Sequence, residues 1–296
     1  MALCDIDIIR FIGNNNAIIR PDVGKQGKKM KDPITLFYFS GTGNSLHCAR
    51  MLAEKTNAEL LSILTAQKSP TIKPKGMIGF VFPVYFMNLP VLLERFIQNT
   101  DLSTTEYIFA VAVSGGDGGD VFYWMNRLLE KKGKRLDYSQ EIKLGDNSIV
   151  IQPKADDLEK KFDALEPIID RIVDEVKKRT VNNQNFHKTF HSEFYSFITR
   201  FGLEKLYRMN DKKTDSEKCN QCGQCVRLCP ADNIRLESSK ISFGDDCAEC
   251  FACINWCPQR AIRFGIIDPG KKGRQYRSKN ITAGDIANAK AIPAGG

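Results

Sequence analysis

No apolar run in the 296-residue sequence approaches the ~18 residues that a transmembrane helix needs, so membrane insertion is not expected. The start, Met1–Arg10, carries Asp5 and Asp7 and no long apolar stretch. It does not read as a secretory signal, and the chain is expected in the cytoplasm. The sequence has no GxxxxGK[ST] nucleotide loop and no GxGxxG fingerprint, so direct oxidation of a nicotinamide nucleotide is not supported. Lys and Arg outnumber Asp and Glu, 43 to 35, for a net charge of +8. There is no dense basic stripe interleaved with aromatics, so no nucleic-acid partner is expected. Half of the excess charge sits in residues 266–296, a basic tail that either favours an acidic partner or is simply solvated. Cysteine is almost absent outside one stretch. Eight of the ten lie between Cys219 and Cys257, and the others are Cys4 and Cys48. Such clustering in an intracellular chain points to metal rather than disulfides.

The length allows about two domains at roughly 150 residues each. Residues 1–33 are polar and read as an N-terminal extension, with Met30 as an alternative start just before the first strong strand. From residue 34 the chain alternates apolar strands with helical patterns. Strands are predicted at Ile34–Phe39, Glu59–Leu64, Gly76–Phe82 and Tyr107–Val113, with a fifth at Ile142–Leu144 or Ser148–Ile151. Helices are predicted at Asn44–Lys55, Pro90–Gln98 and Asp120–Lys132, with one long helix over Lys154–Val181. This alternation implies a doubly wound five-stranded parallel sheet over 34–181, covered on both faces. Residues 182–215 read as a helical connector, with a helix at Glu193–Tyr207. A small α+β domain is expected at 216–265, and the basic tail follows.

The cysteines carry the strongest signal. Cys219, Cys222, Cys225 and Cys229-Pro230 form C-x2-C-x2-C-x3-C-P, which recurs 28 residues later as Cys247, Cys250, Cys253 and Cys257-Pro258. Asn233–Leu236 and Ala261–Phe264 repeat as flanks, so the segment is an internal duplication. Three cysteines two residues apart wrap a tight loop over three irons of a cubane, and the fourth thiolate must come from elsewhere. In two-cluster ferredoxins the cysteine before the proline ligates the other cluster. Cys219, Cys222, Cys225 and Cys257 are therefore assigned to one [4Fe–4S] cluster, and Cys247, Cys250, Cys253 and Cys229 to a second. Structural zinc usually shows paired CxxC groups or Cys/His mixtures, four ligands per ion, which two complete repeats do not match. The segment resembles bacterial-type ferredoxins with two [4Fe–4S] clusters. Phe251 and Trp256 read either as core packing or as apolar neighbours that tune a cluster.

Directly after the first strand come Ser40, Gly41, Thr42, Gly43, Asn44 and Ser45, opening a helix. Hydroxyls, glycines and free N–H groups at a helix N-terminus cradle a phosphate. With no lysine, a monophosphate such as that of FMN fits best. Here the resemblance to flavodoxins becomes specific, because S-x-T-G-N-S in this position is similar to their phosphate loop. In that fold the flavin lies at the β1/β3 switch point. The loop Pro83, Val84, Tyr85, Phe86, Met87, Asn88, Leu89, Pro90 is suited to a flat ring, with Tyr85 either stacking on it or packing within the loop. Ser114, Gly115, Gly116, Asp117, Gly118 and Gly119 offer bare backbone to the other ring edge.

A flavodoxin-like domain followed by a two-cluster ferredoxin resembles the EFR-type ferredoxins of anaerobes, across Ile34–Phe264 and again at 273–277. The resemblance implies an electron carrier holding two [4Fe–4S] clusters and FMN, serving a redox partner protein. The alternatives are an FMN-dependent reductase fed by the clusters, although no acid/base constellation stands beside the flavin site, and a flavin-free ferredoxin on a binding scaffold.

Overall fold

The computed structural model describes residues 33–68, 73–146, 155–182, 186, 211–265 and 275–291. Its first half is built on five parallel strands. These are β1 (Ile34–Tyr38), β2 (Glu59–Ser62), β3 (Gly76–Pro83), β4 (Thr105–Ser114) and β5 (Tyr138–Lys143), in the order β2-β1-β3-β4-β5. All pairings are parallel. This is the doubly wound flavodoxin-like order. Helices α1 (Asn44–Thr56), α2 (Ile63–Ala66), α3 (Val91–Asn99), α4 (Val121–Glu130), α5 (Ala155–Asp163) and α6 (Leu165–Lys177) accompany the sheet. β1, β3 and β4 are dominated by apolar residues because both of their faces are almost wholly buried, with Glu106 of β4 exposed. Fully buried Leu36, Phe37, Phe80, Phe82 and Phe109 form the centre, each worth about 1.5–3 kcal/mol relative to exposure. The backbone packs tightly there: a β-carbon on Gly79 would stand 2.3 Å from the Phe109 ring.

Three expected elements differ. The fifth strand begins earlier than Ile142–Leu144, and Ser148–Ile151 lies outside the described residues. Among the described strands Tyr138–Lys143 pairs only with β4 at the edge of the sheet, so it can carry Ser139, Gln140 and Glu141 and lacks an apolar run. β2 stops at Ser62, whose Oγ accepts from Leu64 N and starts the short α2. The long helix over Lys154–Val181 is two helices, broken at Ala164. Pro167 is the cause, because its ring clashes with the carbonyl of Asp163 and it has no N–H to offer there.

Residues 211–265 form a small α+β unit. β6 (Lys212–Thr214) pairs antiparallel with β9 (Ile262–Phe264), and β7 (Ile234–Glu237) with β8 (Lys240–Phe243). The duplication is visible in the backbone. α7 (Gln224–Leu228) and α8 (Ala252–Asn255) each follow a left-handed residue, Gly223 at φ 69° and Phe251 at φ 54°. The second repeat thus places a phenylalanine where the first uses glycine, at a cost of about 1–2 kcal/mol.

Residues 275–291 were read as part of a tail but pack into the fold. Ser278, Ile281, Ile286 and Ala289 are buried. Helix α9 (Ala283–Asn288) is closed by a Thr282–Asp285 capping box. Asp285 pairs with Arg50 of α1, the Thr65 hydroxyl donates to the Ala289 carbonyl at 2.9 Å, and Lys290 pairs with Asp232. This strap therefore touches both halves. The expected connector helix at Glu193–Tyr207 and the leader 1–32 lie outside the described residues.

Candidate functional site

The four cysteines Cys219, Cys222, Cys225 and Cys257 line one cavity, together with Pro258, Ile241 and Ile262. Cys257, Cys222 and Cys219 lie close enough to Cys225 to act on its ionisation. Cys250, Lys212, Cys247 and Cys229 stand in the same relation to Cys253. Each repeat thus groups its three loop cysteines with the proline-preceding cysteine of the other. Equivalent backbone amides approach the two crossing sulfurs: Asn233 N to Cys229 Sγ and Ala261 N to Cys257 Sγ, both at 3.3 Å. Glu249 N approaches Cys247 Sγ at 3.4 Å. Such N–H groups favour thiolate, the form that binds metal. Without metal, burial pushes the Cys225 thiol up to about 11, the Cys250 thiol up to about 12 and Cys253 well above the ordinary thiol value. Among the described residues, no three His, Cys, Asp or Glu side chains converge as a mononuclear site requires. Two groups of four sulfurs fit a pair of iron–sulfur cubanes in donor type and number.

The two groups differ in surroundings. Cys222 is exposed, and Cys219, Cys225 and Cys257 are half-buried. Cys229, Cys250 and Cys253 are buried, and Cys247 is half-buried. Lys212, only 8% exposed, donates from Nζ to Cys247 Sγ at 3.0 Å. Burial alone would lower its pKa, but the Cys247 sulfur offsets that and the net direction is up. The lysine therefore keeps its positive charge at neutral pH.

At the carboxyl end of β1, Ser40, Thr42, Asn44 and Ser45 are all buried. Gly43 takes φ 108°, which glycine alone adopts without strain, and its N–H donates to Ser40 Oγ at 3.1 Å. A cavity is lined by Ser40, Gly41, Thr42, Asn44, Ser45, Pro83, Val84, Val113, Gly115, Gly145 and Asp146. It joins parts of all three expected loops. Ser45 lines it, 1% exposed, and its buried hydroxyl has no hydrogen-bond partner. An orphaned donor at a helix N-terminus fits an anionic oxygen, as the monophosphate of FMN would supply.

The ring loops are arranged more tightly than expected. Tyr85 and Asn88 close a two-residue hairpin through Tyr85 N to Asn88 O (3.1 Å) and Asn88 N to Tyr85 O (2.9 Å). Phe86 and Met87 at its tip both have positive φ, 51° and 60°. Two such non-glycine residues store about 1–3 kcal/mol each and persist only where the surroundings enforce them. The enforcing contact is Phe86, which packs against both the sheet core and the cysteine-unit core. Tyr85 is buried edge-on to Phe39, with centroids 6.3 Å apart, and its hydroxyl lies beside Gly41. In the other loop Ser114 Oγ donates to Glu141 at 2.5 Å, and Gly119 N donates to Asp117 at 2.9 Å. Gly116 is open, Gly118 lies against Glu141, and Met87 rests on Gly119. The residues at Ser40–Ser45 therefore fit the monophosphate of FMN, and between the other two loops Met87 lies against Gly119.

Contacts between the halves were not foreseen. Trp256 Nε1 donates to the Gly41 carbonyl at 2.9 Å, and a β-carbon on Gly41 would stand 2.7 Å from the Cys250 carbonyl oxygen. Arg277 stacks 5.4 Å above the Trp256 ring. The strap completes the junction. Tyr276 donates from its hydroxyl to Asn44 Oδ1 at 2.7 Å, Ser278 N donates to Thr42 O at 2.9 Å, and Gln275 donates to the carbonyls of Ile254 and Cys257. The sequence signal available was the buried indole N–H of Trp256, which needs a partner.

No curated protein matches the chain. Among solved structures, a putative flavoprotein from Bacteroides eggerthii overlaps 49% of this chain and 97% of its own, at 16% identity and TM-score 0.35. One from Bacteroides uniformis overlaps 38% and 90%, at 15% and 0.31. Rubredoxin oxygen:oxidoreductase from Desulfovibrio gigas overlaps 51% of this chain and 38% of its own, at 18% and 0.34. Residues 211–268, which carry both cysteine repeats, match the family described as the 4Fe-4S dicluster domain.

Proposed function

We propose that the chain is an electron-transfer iron–sulfur flavoprotein of the EFR type, relaying electrons between two [4Fe–4S] clusters and FMN for a redox partner protein. In this reading 34–181 is the flavodoxin-like domain, 182–215 the connector, 216–265 the cluster domain and 266–296 its basic extension. The observation that carries it is the direct abutment of the cysteine unit on the phosphate loop, through Trp256 and Cys250 against Gly41. The clusters supply one-electron chemistry, and FMN supplies both one- and two-electron chemistry. The protein's part is to hold and orient. Cys219, Cys222, Cys225 and Cys257 hold one cluster, and Cys247, Cys250, Cys253 and Cys229 the other. Ser40–Ser45 receive the phosphate, with Ser45 Oγ donating. Pro83, Val84, Tyr85, Phe86 and Asn88 form one wall of the flavin site, and Ser114, Gly115, Gly116, Asp117 and Gly118 the other.

A second reading, a flavin-free ferredoxin on a scaffold, is favoured by one observation: Met87 resting on Gly119. Anaerobic purification with iron, sulfide and acid-released FMN measured on one sample separates them. Iron for two clusters with stoichiometric FMN supports the relay. The same iron with no flavin overturns the flavin half.

A further inference from the structure

We propose that the two cysteine groups hold inequivalent stations: the group completed by Cys229 is the inner one, and the group completed by Cys257 is the outer one, where a one-electron partner protein with an acidic surface docks. The inference rests on the electron-transfer reading and adds an order and a docking face to it.

Three observations carry it. The inner group meets the phosphate loop directly, since Cys250 lies against Gly41 and its companions Cys229 and Cys253 are buried. Phe86, at the strained hairpin tip, packs against the core that buries Cys229 and Cys253, which Cys225 and Cys257 of the other group reach only as half-buried residues at its edge. The outer group instead reaches the surface at Cys222, and its cavity wall includes exposed Asn220, Gln221 and Gln259. Electron transfer weakens steeply with distance, so a partner gains most by docking where a cluster ligand is exposed.

Charge selects the partner. Arg260 and Arg277 both leave the chain beside Cys257: the Arg260 N–H donates to the Cys257 carbonyl at 3.2 Å, and Arg277 Nε donates to the Asn255 carbonyl at 2.7 Å. Arg277 is held by Asn255, Gln275 and the Trp256 face. Among the described residues, no carboxylate pairs with either guanidinium. Two like charges kept together without a counter-ion are complementary to carboxylates on a docking protein. Each encounter moves one electron: the partner is oxidised by one and the chain reduced by one, or the reverse.

The order is tested on the full-length holoprotein by limited anaerobic iron extraction with EDTA, iodoacetamide labelling and peptide mapping. Cys219, Cys222, Cys225 and Cys257 should be alkylated while Cys229, Cys247, Cys250 and Cys253 remain protected. Simultaneous or reversed labelling overturns the order. The docking face is tested with a photoreduced, acidic plant-type [2Fe–2S] ferredoxin as donor, comparing the native chain with Arg260→Glu and Arg260→Gln at equal iron content. The reduction rate should fall about tenfold for the glutamate at low salt, less for the glutamine, with the difference closing as salt rises. Equal rates, or no reduction of the native chain by this carrier, overturn the docking face. The first arm reads thiols and the second is followed at the cluster absorbance, so absence of flavin defeats the flavin reading and leaves these outcomes to decide the inference.

Discussion

Replacing Ser45 by alanine should act in opposite directions on the flavin-free and the flavin-bound protein. In the free protein the Ser45 hydroxyl is buried and unpaired. An unsatisfied buried polar group costs about 1–3 kcal/mol, so its removal should leave stability unchanged or raise it by up to that amount. On the proposed reading, the same hydroxyl donates to an anionic oxygen of bound FMN, a bond worth about 1.5–3 kcal/mol. Alanine forfeits that bond. At about 1.4 kcal/mol per decade, the Kd for FMN should rise between tenfold and somewhat over a hundredfold. The assay is a fluorescence titration of flavin-stripped protein with FMN, paired with urea unfolding of the same flavin-stripped samples. An unchanged Kd, or a flavin-free variant clearly less stable than the native chain, would refute the reasoning, because Ser45 would then be a packing residue.

Two further substitutions probe the junction and the inner sulfurs. Trp256→Phe keeps an aromatic side chain but trades the indole for a smaller phenyl ring and leaves the Gly41 carbonyl without that donor, and should cost at least about 1–3 kcal/mol in anaerobic urea unfolding followed by cluster absorbance; an unmoved midpoint would show that the bond is not retained in solution. Lys212→Met removes a positive charge 3.0 Å from Cys247 Sγ, so an added electron is less stabilised there. Potentiometric EPR should show one cluster shifted to a lower potential and the other unmoved. A shift of both, or of neither, contradicts the placement.

The cysteine repeats and the strand–loop–helix junction at Ser40–Ser45 were legible because their signals are local. Ligand spacing and a strand–loop–helix junction are both written within about a dozen consecutive residues. The parallel five-stranded sheet followed from alternating apolar runs, while strand bounds were missed where β2 gives way to α2 after Ser62 and at Tyr138–Lys143, which has no apolar run. Pro167 was in plain view within the long helical pattern, but seven apolar residues at helical spacing outweighed it. What the sequence could not reveal was non-local. Asp146 reaches the cavity from the end of β5, Trp256 finds Gly41 across 215 positions, and Tyr276 finds Asn44 across 232. No periodicity encodes such pairs. They arise when two folded surfaces meet.

The strap has a consequence for how far the two halves are interchangeable. Tyr276 and Ser278 finish the surroundings of a loop that begins at Ser40, while Gln275 in the same segment caps carbonyls of the cysteine unit. The chain is therefore not a pair of separable modules on a leash. Grafting a different ferredoxin onto the sheet would strip the phosphate loop of its indole donor and its tyrosine clamp. Recombination at this junction can succeed only if residues near 41, 256 and 276 travel together.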